Sequence, residues 1–71
     1  MDRQYVESSM ITSIGYDPDT CTLEVEFKSD GAIWHYPDFP EYLWHEFEAS
    51  DSKGKFFHQN IRGKYNEFKV G

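Results

Sequence analysis

The stretch of residues 20–28 alternates strictly between apolar and polar side chains, and this alternation constrains the fold more than any other feature. The side chains predicted to face inward are Cys21, Leu23, Val25 and Phe27, and those predicted to face outward are Thr22, Glu24, Glu26 and Lys28. Because successive side chains of a strand point to opposite sides, a period of two predicts a strand with one buried face. Such half-buried strands are typical of antiparallel sheets.

Turn signals on both sides of this stretch predict two neighbouring strands. Residues 9–16 are moderately β-prone and precede Asp17-Pro18-Asp19, in which proline fixes φ and aspartate bonds to its own backbone. After the alternating stretch, Ser29-Asp30-Gly31 offers a glycine for positive φ and leads into a third strand at residues 32–36. Three successive strands joined by short turns predict an antiparallel β-meander.

A short helix is predicted directly after the meander. Residues 41–49 place Leu43, Trp44 and Phe47 on one stripe, with glutamates on the outside. Pro40 fits the first turn of this helix because its missing N–H needs no partner there.

A second helix is predicted to follow after Ser52, a suitable N-cap, and to run to about Arg62. Phe57 and Ile61 lie four residues apart on its buried stripe, and residues 65–70 are expected to form a short extended segment. Since a lone small sheet needs cover for its apolar side, the sequence predicts an α+β domain: a three-stranded antiparallel β-meander followed by two short α-helices packed on one face.

The chain has 71 residues, which limits it to a single domain spanning residues 1–71. A domain of this size has a thin core, and the aromatic residues, 18% of the chain, supply large side chains to fill it. It leaves little room for the deep pocket of an enzyme, and no motif for nucleophilic or paired-carboxylate catalysis is present. We therefore expect a non-enzymatic protein without catalytic residues.

Cysteine and histidine usage argues against a disulfide or a metal. Cys21 is the only cysteine, and His35, His45 and His58 fall on three different predicted elements without the short spacing of ligand motifs, so we expect no metal site and no cofactor. Residues 1–7 are polar and acidic, unlike a signal peptide, and no apolar run is long enough to span a membrane. A cytoplasmic monomer that does not bind membranes is the expectation.

Charge is distributed unevenly along the chain. Residues 1–51 hold twelve acidic and two basic residues, a net charge of −10, whereas residues 52–71 hold five basic residues and one acidic residue, a net charge of +4. Such asymmetry points to charged partners unless the two parts neutralise each other in the fold. Two interpretations follow.

The first interpretation is a module that binds RNA or single-stranded nucleic acid. Cations beside exposed rings neutralise phosphates and offer stacking surfaces, and alternate residues of the third strand place two rings on one face. The predicted site residues are Trp34, Tyr36, Lys53, Lys55, Phe56, Arg62, Lys64 and Tyr65. The alternative is that Trp34 and Tyr36 pack under the helices. Glu24 and Glu26 should repel phosphates from the outer face of the sheet.

The second interpretation is a small acidic interaction or regulatory protein, bacterial or phage-encoded. Its partner would be a basic protein, such as a component of the transcription or translation machinery. The candidate contact residues are Glu41, Glu46, Glu48 and Asp51. Acidic patches speed association with basic proteins by electrostatic steering, although a simple solvated helix face explains the same residues.

Taken in order, the motifs of the chain resemble those of the KTSC domain family. The matching elements are Val6, Ser8-Ser9, Ile11, Ile14-Gly15-Tyr16-Asp17, Leu23-Glu24-Val25-Glu26-Phe27, Gly31, Trp34-His35-Tyr36, Pro40, Ser52-Lys53-Gly54-Lys55-Phe56-Phe57, Ile61-Arg62 and Tyr65. Trp34 takes the first position of the family's Tyr-x-Tyr motif and keeps its aromatic character. The resemblance implies a module known from the C-terminus of some lysyl-tRNA synthetases and from stand-alone bacterial and phage proteins. Attachment to a tRNA synthetase implies RNA binding.

Overall fold

A computed structural model describes residues 1–71 as a five-stranded antiparallel sheet with two helices. In chain order the elements are β1 (Arg3–Tyr5), β2 (Ile11–Asp17), β3 (Thr22–Phe27), β4 (Ile33–Tyr36), α1 (Glu41–Ala49), α2 (Lys53–Asn60) and β5 (Phe68–Lys69). The strands lie side by side in the order in which they occur along the chain. The predicted meander is present as β2, β3 and β4, and both predicted helices follow it.

The alternation along β3 places its apolar side chains in the core and its acidic side chains on the opposite face of the sheet, as predicted. Leu23 and Val25 are fully buried in the core, whereas Glu24 and Glu26 point to the opposite side. We call that opposite side, which also bears His35 on β4, the outer face of the sheet. Neighbouring residues of paired strands share a face, so the register fixes which side chains meet there.

The prediction of three strands was wrong, because β1 and β5 extend the sheet at its two edges. β1 pairs with β2 and places Arg3 opposite Gly15. β5 pairs with β4 and places Lys69 opposite Trp34. Strands of three and two residues are too short to show a period, and their pairing depends on contacts with distant parts of the chain.

Cys21 does not face inward on β3 as predicted. It is exposed and adopts a positive φ of 54° at the end of the turn that begins after β2. The strand therefore starts at Thr22, two residues after the start of the predicted stretch of residues 20–28. Alternation alone cannot distinguish the last residue of a turn from the first residue of a strand.

The helices begin close to the predicted positions. α1 starts directly after Pro40 and buries Leu43 and Phe47. The side chain of Ser52 caps α2 by accepting a hydrogen bond from the backbone N–H of Lys55 at 3.3 Å. α2 ends at Asn60, earlier than expected.

The core lies between the sheet and the two helices, on the side opposite the outer face. Its buried members are Ile11, Ile14, Leu23, Val25, Tyr36, Phe39, Leu43, Phe47, Phe57 and Ile61. Aromatic pairs connect the layers, among them Tyr36 and Phe57 with ring centres 5.7 Å apart. Neither helix is long and apolar enough to cross a membrane.

Candidate functional site

A cavity of about 280 Å³ opens between the sheet and α2, and we call it the Trp34 cavity. Its apolar walls are Met10, Phe27, Trp34, Tyr36 and Phe57. Its polar residues are Ser29, His58, Arg62 and Glu67. The volume of about 280 Å³ is slightly below the roughly 300–1,000 Å³ typical of small-molecule sites, so the cavity has room for no more than one flat ring system.

The β-strand period places two aromatic rings in this cavity. Trp34 and Tyr36 are two residues apart on β4 and point toward the helices rather than to the outer face. Tyr36 is only 1% exposed, whereas Trp34 is half-buried and packs against the edge of the core. The predicted alternative, packing under the helices, thus describes Tyr36 fully and Trp34 in part.

The hydroxyl of Tyr36 stays protonated at neutral pH. Burial raises the pKa of Tyr36 above its ordinary value of 10, and the nearby carboxylate of Glu67 raises it further. A protonated phenol both donates and accepts hydrogen bonds, so the floor of the cavity carries one adaptable polar group.

Helical spacing accounts for two of the polar residues at the cavity. His58 lies in the last turn of α2, and Arg62 follows one turn later, with its Nη1 3.4 Å from His58 Nδ1. Glu67 reaches the cavity from the segment just before β5, so the pairing of β5 with β4 is what brings it close. The cavity therefore combines an aromatic face with one guanidinium and one carboxylate.

The other residues of the predicted nucleic-acid site lie elsewhere. Lys64 and Tyr65 line a separate cavity of about 310 Å³ beside Asp38. Lys55 and Phe56 line a third cavity, of about 300 Å³, near the start of α2. The structure thus brings together Trp34, Tyr36 and Arg62 but divides the remaining predicted residues between other surfaces.

Three of those residues also have structural contacts of their own. The ring of Phe56 stacks on Phe47 with centres 5.2 Å apart, and the ring of Tyr65 lies 5.0 Å from that of Phe39. Lys53 donates from Nζ to the backbone carbonyl of Ser50, just after α1. These contacts hold the two rings against the core.

The basic residues of the C-terminal part are not neutralised by the acidic part. The carboxylate contacts of basic side chains in the chain involve only Arg3, His35 and His45. The five basic residues of the segment 52–71, which are Lys53, Lys55, Arg62, Lys64 and Lys69, form none. The charge asymmetry read from the sequence therefore persists in the fold.

Three of the predicted acidic residues lie on α1 and the fourth, Asp51, follows it, but only some of them form ion pairs. Glu41 and Glu48 flank His45, with distances of 3.5 Å to Nε2 and 3.0 Å to Nδ1. The hydrogen bond with Glu48, helped by the charges of both glutamates, raises the pKa of His45 although the ring is exposed. Glu46 and Asp51 are exposed and form no ion pair.

Sequence reasoning did not include His58, Glu67 or Met10 in the site. His58 had a signal, since it precedes Arg62 by four residues on a predicted helix. Glu67 and Met10 had none, because they reach the cavity only through the tertiary fold. No group of three potential metal ligands comes together in the structure.

Comparisons with known proteins give a consistent result. Residues 7–65 match the family model described as KTSC domain. The crystal structure of a KTSC domain protein from Yersinia pestis superposes with a TM-score of 0.94 and 44% identity, covering 99% of this chain and 97% of that one. An uncharacterized protein of Stutzerimonas stutzeri is 35% identical over 68 residues, which are 96% of this chain and 94% of that protein. A lysine–tRNA ligase of Nostoc sp. is 39% identical over 59 residues, which are 83% of this chain but 10% of the ligase.

Proposed function

The chain belongs to the KTSC domain family, as its motifs predicted, and from this premise we propose that it is a single-stranded RNA-binding module whose Trp34 cavity receives one unstacked base. The observation that carries the proposal is the meeting of Trp34, Tyr36 and Arg62 around one open cavity. Stacking and a nearby cation are the two contacts on which binding of single strands depends.

The size and lining of the cavity suit a base. A single ring system fits the volume of about 280 Å³, and the exposed part of Trp34 offers it a stacking surface. Stacking of a base on an aromatic side chain contributes about 1–3 kcal/mol. The protonated hydroxyl of Tyr36 supplies a hydrogen-bonding group at the inner end.

Charge around the cavity suits the phosphates of a strand. Arg62 lines the cavity, and Lys69 lies opposite Trp34 in the sheet register and therefore on the same face. None of these cations is paired with a carboxylate. Repulsion from the acidic part is screened beyond about 8 Å at physiological salt, so it does not prevent local contact.

One relative favours RNA over a protein partner. In Nostoc sp. the matching segment is part of a lysine–tRNA ligase, a protein that by its name acts on tRNA. The matched segment is a tenth of that ligase. A module carried on such a protein lies close to RNA, which supports the same ligand class for this chain.

The direct test is fluorescence anisotropy with a labelled single-stranded RNA of mixed sequence, titrated with the protein at several salt concentrations. We expect binding at low salt that weakens steeply as salt rises. Lys69→Gln should weaken binding and make the salt dependence shallower by about one unit of slope, the effect of one lost phosphate contact. Trp34→Leu should weaken binding by removing the stacking surface while circular dichroism confirms that the variant is folded.

A matched control is Lys28→Gln, which removes the same charge from an exposed turn residue that does not line the cavity. It should change binding only slightly. Absence of any RNA binding by the unmodified protein at low salt would contradict the proposal. In that case docking of a basic protein on the acidic surface of α1, around Glu46 and Asp51, becomes the better account.

A further inference from the structure

The Trp34 cavity contains two opposite charges that are not paired with each other. Arg62 and Glu67 both line it, yet the ion pairs of the chain involve neither residue. Both charges lie close enough to Tyr36 to affect the ionisation of its hydroxyl. A guanidinium and a carboxylate that line one aromatic cavity without forming an ion pair can both contact a single flat ligand there.

The chemistry of these two groups restricts which base fits. A carboxylate only accepts hydrogen bonds, and a guanidinium only donates them. The base must therefore offer N–H donors toward Glu67 and acceptors toward Arg62. Arginine with O6 and N7 of guanine is the commonest specific side-chain contact to a base.

Guanine satisfies both groups more fully than the other bases. It presents N1–H and the N2 amino group side by side, so that both carboxylate oxygens accept, and it presents O6 and N7 to a guanidinium. Adenine and cytosine offer a carboxylate one amino group, and uracil offers one ring N–H. Only guanine can form two paired hydrogen bonds with each charged group.

We infer that the Trp34 cavity is selective for guanine, with the base stacked on Trp34, its N1–H and N2 amino group donating to Glu67, and its O6 and N7 accepting from Arg62. The inference rests on the proposed binding of single-stranded RNA and specifies the base that enters the cavity. Glu67 determines specificity here. Its negative charge repels phosphates, but its carboxylate can accept hydrogen bonds from N1–H and the N2 amino group of guanine.

The experiment uses four short oligouridines that differ only in one central base, which is guanine, adenine, cytosine or uracil. Binding is followed by the fluorescence of Trp34 in a Trp44→Phe background, since Trp44 stacks on Tyr16 and does not line the cavity. We expect the guanine oligonucleotide to bind at least about tenfold tighter than the others, as is usual for a bidentate base contact. Glu67→Gln should reduce that preference, because it removes one of the two bidentate contacts to guanine and leaves the contact of Arg62 with O6 and N7.

The ratio of affinities is the informative quantity, because losing one negative charge strengthens binding of all four strands alike. Glu7→Gln, which removes an exposed carboxylate outside the cavity, should leave the ratio unchanged. Equal binding of the four strands, or a preference for another base, would overturn the inference and leave the proposed function standing. Failure of all four strands to bind would overturn both.

Discussion

Nε2 of His35 lies 2.7 Å from Oε2 of Glu24 on the outer face of the sheet. The other oxygen of Glu24 accepts a hydrogen bond from Nη1 of Arg3, also at 2.7 Å. One nearly buried carboxylate on β3 thus connects the edge strand β1 with β4. Burial opposes ionisation of Glu24, but the hydrogen bonds from His35 and Arg3 outweigh it and hold the pKa of Glu24 below its ordinary value.

Glu24→Gln should destabilise the protein by about 1–3 kcal/mol, because it removes a charged acceptor from two donors in a partly buried network. The free energy of unfolding is measured by urea denaturation at neutral pH. Glu7→Gln is the matched control, since Glu7 is exposed and forms no ion pair. Equal stability of the two variants would show that the network contributes nothing.

The same carboxylate predicts a pH dependence. Because the pKa of Glu24 is lower in the folded than in the unfolded chain, its contribution is present above the ordinary value of 4.5 and is lost as the pH falls through the folded pKa. The stability of the unmodified protein should therefore fall more steeply below pH 4.5 than that of Glu24→Gln. Parallel curves in urea denaturation across that range would contradict this assignment.

A β-carbon at Gly15 would lie 2.6 Å from the backbone carbonyl oxygen of Asp2, so β1 and β2 can approach each other only with glycine here. Gly15→Ala should force β1 away, cost about 1–3 kcal/mol and speed amide exchange at Val6, whose N–H donates to the carbonyl oxygen of Thr12. In contrast, a β-carbon at Gly54 finds no atom closer than 3.6 Å. Gly54→Ala should be neutral or should stabilise α2 by up to about 1 kcal/mol. Equal effects of the two substitutions would refute the close approach.

Phe47 is fully buried on α1, whereas Tyr42 on the same helix is exposed. Phe47→Ala should cost about 3–5 kcal/mol because it leaves a cavity beneath the stacked ring of Phe56. A domain this small has a total stability near the bottom of the range of roughly 5–15 kcal/mol, so this variant should keep at most about 2 kcal/mol of it and should melt at a much lower temperature. Tyr42→Ala should stay within about 0.5 kcal/mol of the unmodified protein. Thermal denaturation followed by circular dichroism compares them, and an unchanged melting temperature for Phe47→Ala would contradict the burial of this ring on α1.

The meander and both helices could be predicted from the sequence because their signals are local. The alternation from Leu23 to Phe27, the turn residues and the Ser52 cap each act within a few residues. β1 was not predicted, and the extended segment predicted over residues 65–70, which contains β5, could not be recognised as a strand of the sheet. Three and two residues carry no measurable period, and only the sheet they join makes them strands.

As with the fold, the part of the candidate site that depends on local patterns could be predicted from the sequence, and the part that depends on tertiary contacts could not. Alternation placed Trp34 and Tyr36 on one face, and the concentration of basic residues pointed to Arg62. The sequence could not show that Lys55 and Lys64 lie on different cavities, since that depends on where α2 ends. Nor could it bring Glu67 beside Tyr36, which results from the pairing of β5 with β4.

Whether the Trp34 cavity binds RNA is decided by an NMR titration of the ¹⁵N-labelled protein with a short single-stranded RNA at low salt. We expect the largest chemical-shift changes at the indole N–H of Trp34 and at the backbone amides of His58, Arg62 and Glu67. Changes confined to α1 and its acidic residues, or no changes at all, would contradict this expectation.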